Sequence, residues 1–336
     1  MQNLLDPAIL FFVFGLLAGS IKSNLDIPPA ISRFLSLYLL MALGLKGGFA
    51  LAQSGLSAEV GAGLGAAVAL AVLTPLAGYT LLKRFLSGWD AAAIAATYGS
   101  VSAVTFVTAV QYLDHQSIAY GGHMAAAMAL MESPAIVMAV LLANTLRQQA
   151  AAASGTRLAG SALTLCETPP RAPIAMGKVL HESFTDGAQL LLLGAMLVGL
   201  ITGESGKAAM QPFSTDLFKG MLCFFLLDMG LSAARSLPQV KAQSPWLLVY
   251  AVVGPLAHAC LALGLAWLLQ LPCGDGTLLM VLAASASYIA VPAVIKHAIP
   301  EANPSLYVGL SLGVTFPLNI LLGIPLYAGV AQHVLT

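Results

Sequence analysis

From Pro7 to His333 the chain is a succession of apolar stretches parted by short polar links. Such a chain cannot bury all of its apolar surface against itself in water. In a bilayer every backbone N–H and C=O must be satisfied within the protein, which leaves α-helices or a closed barrel. The stretches fall near 7–20, 34–52, 58–82, 91–112, 117–146, 182–203, 213–236, 245–270, 277–298 and 305–333. Most approach the ~20 residues that span a bilayer as helix, and their Gly and Ala content favours packed helices over strands. Charged residues are 8% of the chain, against about 25% in soluble domains. The expected class is an all-α polytopic membrane protein of about ten transmembrane helices. The first stretch lacks the basic start of a signal peptide and is read as part of the mature protein.

Two stretches are interrupted. Ala283 to Pro292 reads Ala-Ala-Ser-Ala-Ser-Tyr-Ile-Ala-Val-Pro where a membrane helix normally carries large apolar residues. Pro292 removes a backbone donor and disfavours helical geometry at Val291. Laying Asp90–Ala109 over Asp275–Val294, a shift of 185, pairs Ser100-Val-Ser102 with Ser285-Ala-Ser287. Gly44-Leu45 echoes Gly230-Leu231 at a shift of 186, and Pro134 echoes Pro317 at 183. The pattern predicts an internal duplication: a first five-helix repeat over 1–146, a cytoplasmic link over 147–180 and a second repeat over 181–336, each with one broken helix.

Basic residues set the orientation. Links after odd-numbered helices hold Lys22, Arg33, Lys83, Arg84, Arg147, Arg157, Arg171, Lys178, Arg235, Lys241 and Lys296, while the opposite side holds Lys207 and Lys219. By the positive-inside rule the first group is cytoplasmic and both termini face outward. With five spans per repeat, the second copy enters the membrane from the other side. Inverted repeats with discontinuous helices are a signature of secondary transporters, whose sites lie at the midplane.

The polar residues within the stretches are the candidate site. After each break a half-helix begins, and its free N–H groups and positive dipole end can hold an anion. Ser100, Ser102, Thr105, Ser285, Ser287 and Tyr288 add hydroxyls beside that point, with Val291 at the strained position before Pro292. Serines here could instead bond the preceding turn and only bend the helix. A charge at a helix centre costs about 2.5–3.5 kcal/mol on insertion scales, so Glu132 needs a reason. It could coordinate sodium, carry a proton, or bond the free N–H groups of a broken helix; Thr315 is its repeat counterpart, and with Gly99 completes the cation candidates. Lys46 and Asp228, in repeat-related helices, are expected to form a structural ion pair. His123, His258 and His297 share no metal spacing and read as packing residues. So do Cys166, Cys223, Cys260 and Cys273, which have no C-x-x-C spacing. Gly15-x-x-x-Gly19, Gly61-x-x-x-Gly65, Gly199-x-x-x-Gly203 and Gly309-x-x-x-Gly313 predict close helix packing. No H-E-x-x-H and no phosphate-binding Gly loop occurs, so no enzyme is expected.

The stretch Ile299-Pro-Glu-Ala-Asn-Pro-Ser305, with Tyr307-Val-Gly309 and Gly323-Ile-Pro325-Leu326, resembles the sodium-dependent bicarbonate transporter family known from cyanobacteria. Weaker likeness covers Gly44-Leu45 with Gly47-Gly48, Gly99 through Thr105, Pro134-Ala135 and Ala283 through Pro292. The resemblance implies ten helices in two inverted repeats, a core domain moving against a gate domain, a homotrimer in the bacterial plasma membrane, and a PII-like cytoplasmic regulator. The chain departs from the family at the second break. Ser-Ser-Ser-Asp-Ile-Ser-Gly-Pro-Pro becomes Ser285-Ala-Ser-Tyr288-Ile-Ala290-Val291-Pro292-Ala293, so a tyrosine stands in place of the acid. An aspartate of helix five is matched by Glu132.

The expected function is a secondary active transporter importing bicarbonate, or a similar small anion, with sodium as the coupling ion and no other cofactor. The alternatives are a proton- or sodium-coupled transporter of another small carboxylate, and a non-transporting membrane sensor that binds a cytoplasmic regulator. Nothing points to nucleic acid.

Overall fold

The structure is a computed structural model and describes residues 6–55, 57–157, 187–241 and 243–335. Among them it is all helical, with no strand. The helices are α1 (Pro7–Ser20), α2 (Pro29–Ser54), α3 (Ala58–Leu82), α4 (Gly88–Gly99), α5 (Ala103–His115), α6 (His123–Arg157), α7 (Gly187–Gln211), α8 (Phe218–Lys241), α9 (Pro245–Leu268), α10 (Cys273–Ala284), α11 (Ala290–Ala298) and α12 (Pro304–Val334). Their starts are written locally. Asp6 accepts from Ala8 N at 2.8 Å ahead of Pro7, and Asn303 accepts from Ser305 N at 3.0 Å ahead of Pro304. A side-chain acceptor at the cap followed by proline at the first helical position is a strong start signal.

Among the described residues, seven helical stretches are long and apolar enough to cross a membrane. The sequence predicts about ten, and the difference has identifiable sources. Gly187–Pro238 is one apolar stretch of 52 residues, more than twice what a span needs. It is interrupted at Gly203, whose φ of 54° no helix tolerates, and by the π-helical turn Pro212–Asp216. α1 and α10 are apolar but short, at 14 and 12 residues. Two expected boundaries also move. The fifth span begins at His123 rather than 117, because 116–122 turn outside the helix. It then runs on to Arg157, through the first part of the link expected as loop. The rest of that link lies outside the described residues.

The helices pack in two sets. In one, α1 lies on α8 and α2 on α7. These contacts are built on glycine: a Cβ at Gly15 would overlap Leu227 O, and one at Gly48 would overlap Met196 O with Gly199 Cα at 2.9 Å. Gly19 and Gly199 sit equally close to their partner helices, as expected, and Gly313 meets Val240 and Ser236. Gly61 and Gly65 do not follow. Nothing lies within 4 Å of a Cβ at either, because that face of α3 points away from the molecule. A Cβ at Gly203 would likewise touch nothing; its positive φ makes the kink in the chain there.

The second set comprises α3, the pairs α4–α5 and α10–α11, and α6, α9 and α12. Asp90 and Asp275, superposed by the 185-residue shift, do equivalent work there. Asp90 Oδ1 accepts from Asn303 N ahead of α12 at 2.8 Å, and Asp275 Oδ1 accepts from Gly121 N ahead of α6 at 2.5 Å. Each ties the start of a broken helix to the start of the long helix behind it. His123 stands 3.6 Å from Asp275, inside this tie. Cys223 and Cys273 are half-buried as packing residues, but Cys260 is exposed on the apolar outer surface; Cys166 lies outside the described residues.

Candidate transport site

Both expected breaks are present, including the first, which has no proline. Ser100 and Ser102 are extended, at φ/ψ of −99°/179° and −104°/110°. The interruption there rests on side-chain chemistry: Ser102 Oγ accepts from Thr105 N at 3.2 Å and so starts α5. Serine competes with the helix for backbone partners in this way. Gly99, at the end of α4, lies against the Pro75 ring of α3, with all three ring carbons 2.7 Å from where its Cβ would stand. Any side chain at 99 would push the break away from α3, so Gly99 acts through packing at this point.

The two breaks meet. Ser287 donates its backbone N–H to Thr97 O at 2.9 Å, and Ser102 donates its own to Ser285 Oγ at 3.0 Å. Ser285 Oγ donates in turn to Leu282 O at 2.8 Å, and Ser287 Oγ accepts from Val291 N at 3.2 Å in the first turn of α11. Asn319 of α12 donates to Ala284 O at 2.8 Å, capping the end of α10, and is held by the Tyr327 hydroxyl at 2.9 Å. Several of the groups that a broken helix frees are thus met by protein, as burial in an apolar medium favours. Four hydroxyls at the crossing are left over. Thr97 Oγ1, Ser100 Oγ, Thr105 Oγ1 and the Tyr288 hydroxyl are buried without a hydrogen-bond partner among the described residues. A buried polar atom without a partner costs free energy unless something else occupies the site.

Beside the crossing lies a cavity of about 290 Å³, lined by Ser36, Ser102, Glu132, Gln189, Ser287 and Tyr288 with a larger apolar wall that includes Leu40, Val104, Ile136 and Leu192. Tyr288 packs its ring on Phe316 at 5.1 Å, and its hydroxyl lies beside Ser102. Val291 is fully buried behind the site. Glu132 accepts from Gln189 Nε2 at 2.8 Å. Thr315 is not brought to this cavity. Its hydroxyl donates to Ala251 O at 2.8 Å and is paired with the Tyr98 hydroxyl at 2.7 Å, inside the set formed by α4, α9 and α12.

The expected ion pair between Lys46 and Asp228 does not form. Lys46 Nζ lies 3.3 Å from Asp114 Oδ2 and 4.6 Å above the Phe218 ring, and the Tyr120 hydroxyl donates to the other oxygen of Asp114 at 2.9 Å. Asp228 accepts from Ser32 instead. Sequence order placed the two residues in related helices, but Lys46 sits beyond the middle of α2, where it meets the end of α5 and Phe218 at the start of α8, about 15 Å of helix short of Asp228. Tyr120, in the link outside the helices, has its phenol held well above its usual range by burial, with Asp114 adding to the shift.

Three participants carried signals that could have been weighed. Asn319 is an amide inside an apolar helix, as conspicuous as Glu132. Gln189 stands in the first turn of an apolar span. Ser36 is a lone serine among leucines. None belongs to a Ser-x-Ser pattern.

A multi-pass helical protein in which two broken helices meet beside a cavity that is mostly apolar but carries a cluster of hydroxyls and one carboxylate has the architecture of a secondary transporter. Comparison with known families gives the particular one: the chain belongs to the Na+-dependent bicarbonate transporter superfamily, whose profile matches residues 7–332, nearly its whole length. Membership places it among transporters rather than enzymes. No individually curated protein matches the chain.

Proposed function

We infer that the chain is a secondary active transporter that imports bicarbonate, or a similar small anion, with sodium. The observation that carries this reading is the meeting of the two breaks, Ser102 N to Ser285 Oγ and Ser287 N to Thr97 O, with the starts of α5 and α11 opening on one cavity. Drawing an anion into an inside-negative cell costs about 2.3 kcal/mol per charge per 100 mV. A co-moving sodium cancels that charge and adds its own gradient.

Ten spans in two inverted five-helix repeats fit the packing. A second cavity, of about 310 Å³, is lined by Asp6, Ile9, Lys219 and Cys223. Adding 183 to the first two gives Gln189 and Leu192; subtracting 183 from the others gives Ser36 and Leu40, all four lining the first cavity. Matching positions thus line one cavity beside α1 and α8 and another beside α2 and α7, as two access routes would. In this reading α1, α2, α7 and α8 form the gate and the remaining helices the moving core. The protein sits in the bacterial plasma membrane as a trimer with both termini outside, and a PII-like regulator would act from the cytoplasm.

The mostly apolar cavity wall and Tyr288 in place of an acid favour a second reading, another small carboxylate as substrate. Uptake of labelled bicarbonate into proteoliposomes, with and without an inward sodium gradient and against competing carboxylates, tests both. Bicarbonate uptake driven by sodium supports the first reading; uptake of another carboxylate in its place supports the second. Uptake of neither would leave the chain a sensor.

A further inference from the structure

Glu132 is the one charged side chain among the described residues lining the 290 Å³ cavity, and Tyr288 the one other titratable group there. The carboxylate is held from across the molecule. Gln189, only 7% exposed, belongs to α7 of the first helix set, yet its amide donates to Glu132 Oε2 on α6 of the second at 2.8 Å. A carboxylate in the cavity that receives an anion poses an electrostatic problem. A cavity of this volume is about 8 Å across, and at an effective dielectric of about 20 two like charges that far apart disfavour one another by roughly thirtyfold in occupancy. The anion therefore binds well only when Glu132 is neutralised.

We propose that Glu132 is the seat of the coupling monovalent cation and that Gln189 is the donor this cation displaces, so that cation occupancy is sensed at the α6–α7 contact. The inference rests on the small-anion reading above and adds to it the residues that enforce coupling. Gln189 Nε2 is a donor, and its bond to Oε2 draws its strength from the negative charge on the carboxylate. A sodium ion or a proton on that carboxylate removes the charge and faces the positive end of the amide N–H, so cation and amide compete for it. Cation uptake then does two things at once: it removes the charge that repels the anion, and it frees α7 from α6. Because linkage is reciprocal, the anion raises cation affinity by the same factor. Tyr288 is consistent with this arrangement, since it leaves Glu132 without a second carboxylate in the cavity wall. Gln189 is a positioning residue: it acts through Glu132.

Binding of labelled bicarbonate to the purified full chain in nanodiscs provides the test, with sodium titrated at fixed pH in one arm and pH varied without sodium in the other. In the wild type, saturating cation should raise anion affinity at least tenfold; the arm that responds identifies sodium or the proton. Glu132→Gln, which mimics the neutral state at constant shape, should bind the anion without cation as tightly as the saturated wild type and show no further response. Gln189→Met removes the competing donor, so half-saturation by cation should fall severalfold. A spin-label pair on α6 and α7 should lose its cation-dependent change of distance in this variant. The proposal is overturned if Glu132→Gln remains cation-dependent, or if Gln189→Met leaves both cation affinity and the label distance as in the wild type. The second result stands independently of whether Glu132→Gln folds. Failure of the wild type to bind bicarbonate under any cation condition overturns the small-anion reading itself, and this inference with it.

Discussion

Ser102 donates its backbone N–H to the Ser285 hydroxyl at 3.0 Å across 183 residues of sequence. The bond joins two helix interruptions that are far apart along the chain. Ser285 also closes the last turn of α10 by donating to Leu282 O, so one hydroxyl ends one half-helix and positions the start of another. Ser285→Ala removes the acceptor and leaves a buried N–H unmet, which costs about 1–3 kcal/mol. The thermal midpoint in detergent should drop accordingly, and Ser285→Thr, which keeps the oxygen, should recover most of the loss.

Glycine contacts in the first helix set give a second expectation. Gly48→Ala forces a methyl into Met196 O and must part α2 from α7, an overpacking cost of about 1–3 kcal/mol. Gly61→Ala meets nothing within 4 Å and should be neutral or stabilising by up to about 1 kcal/mol, from helix propensity alone. Folded yield by fluorescence size-exclusion chromatography checks the pair. Equal losses at both positions would contradict the packing.

The ion pair moves to Lys46 and Asp114, which are 20% and 38% exposed. A partly exposed pair is worth about 0.2–1 kcal/mol and weakens with salt. A thermal-unfolding cycle of Lys46→Met with Asp114→Asn should show coupling of that size, while Lys46→Met with Asp228→Asn should be additive. Coupling in the second cycle would restore the pair expected from the sequence.

How much was legible follows from how local each signal is. The breaks were visible because Ser-x-Ser twice displaced large apolar residues, and because Asp90 and Asp275 held matching places. Even so, a proline marked only the second break; the first depends on Ser102 capping its own helix, which a pattern shared with ordinary bent helices leaves open. Partners across the fold were not legible. Lys46 with Asp114, Glu132 with Gln189 and Asn319 with Ala284 O depend on how helices rotate about their axes. In a chain this uniformly apolar, with little moment on most helices, the sequence gives almost no indication of which side of a helix faces which neighbour. Gly61 and Gly65 failed for the same reason: spacing identified a smooth face without showing whether anything lies against it.

Orientation is tested by labelling. The topology read from the sequence puts eleven basic residues on one side against two on the other; on that reading a cysteine at Gln332 should react with a membrane-impermeant thiol reagent in intact cells, and one at Arg84 should react only after permeabilisation. The reverse pattern would invert the topology.

The central claim is that the two meeting breaks hold the transported anion together. Its most direct test is the apparent anion affinity of Ser102→Ala and Ser287→Ala in proteoliposomes, under an inward sodium gradient. Each change removes one hydroxyl together with the bond it accepts from Thr105 N or Val291 N, a helix-start loss of about 0.5–2 kcal/mol that leaves the remaining N–H groups in place. A hydrogen bond to a charged group is worth about 1.5–3 kcal/mol, so each variant should need roughly ten- to a hundredfold more bicarbonate for half-maximal uptake, with affinity measured on the folded fraction because the lost cap lowers folded yield modestly. Unchanged affinity in both correctly folded variants would contradict the account and move the anion site away from the crossing.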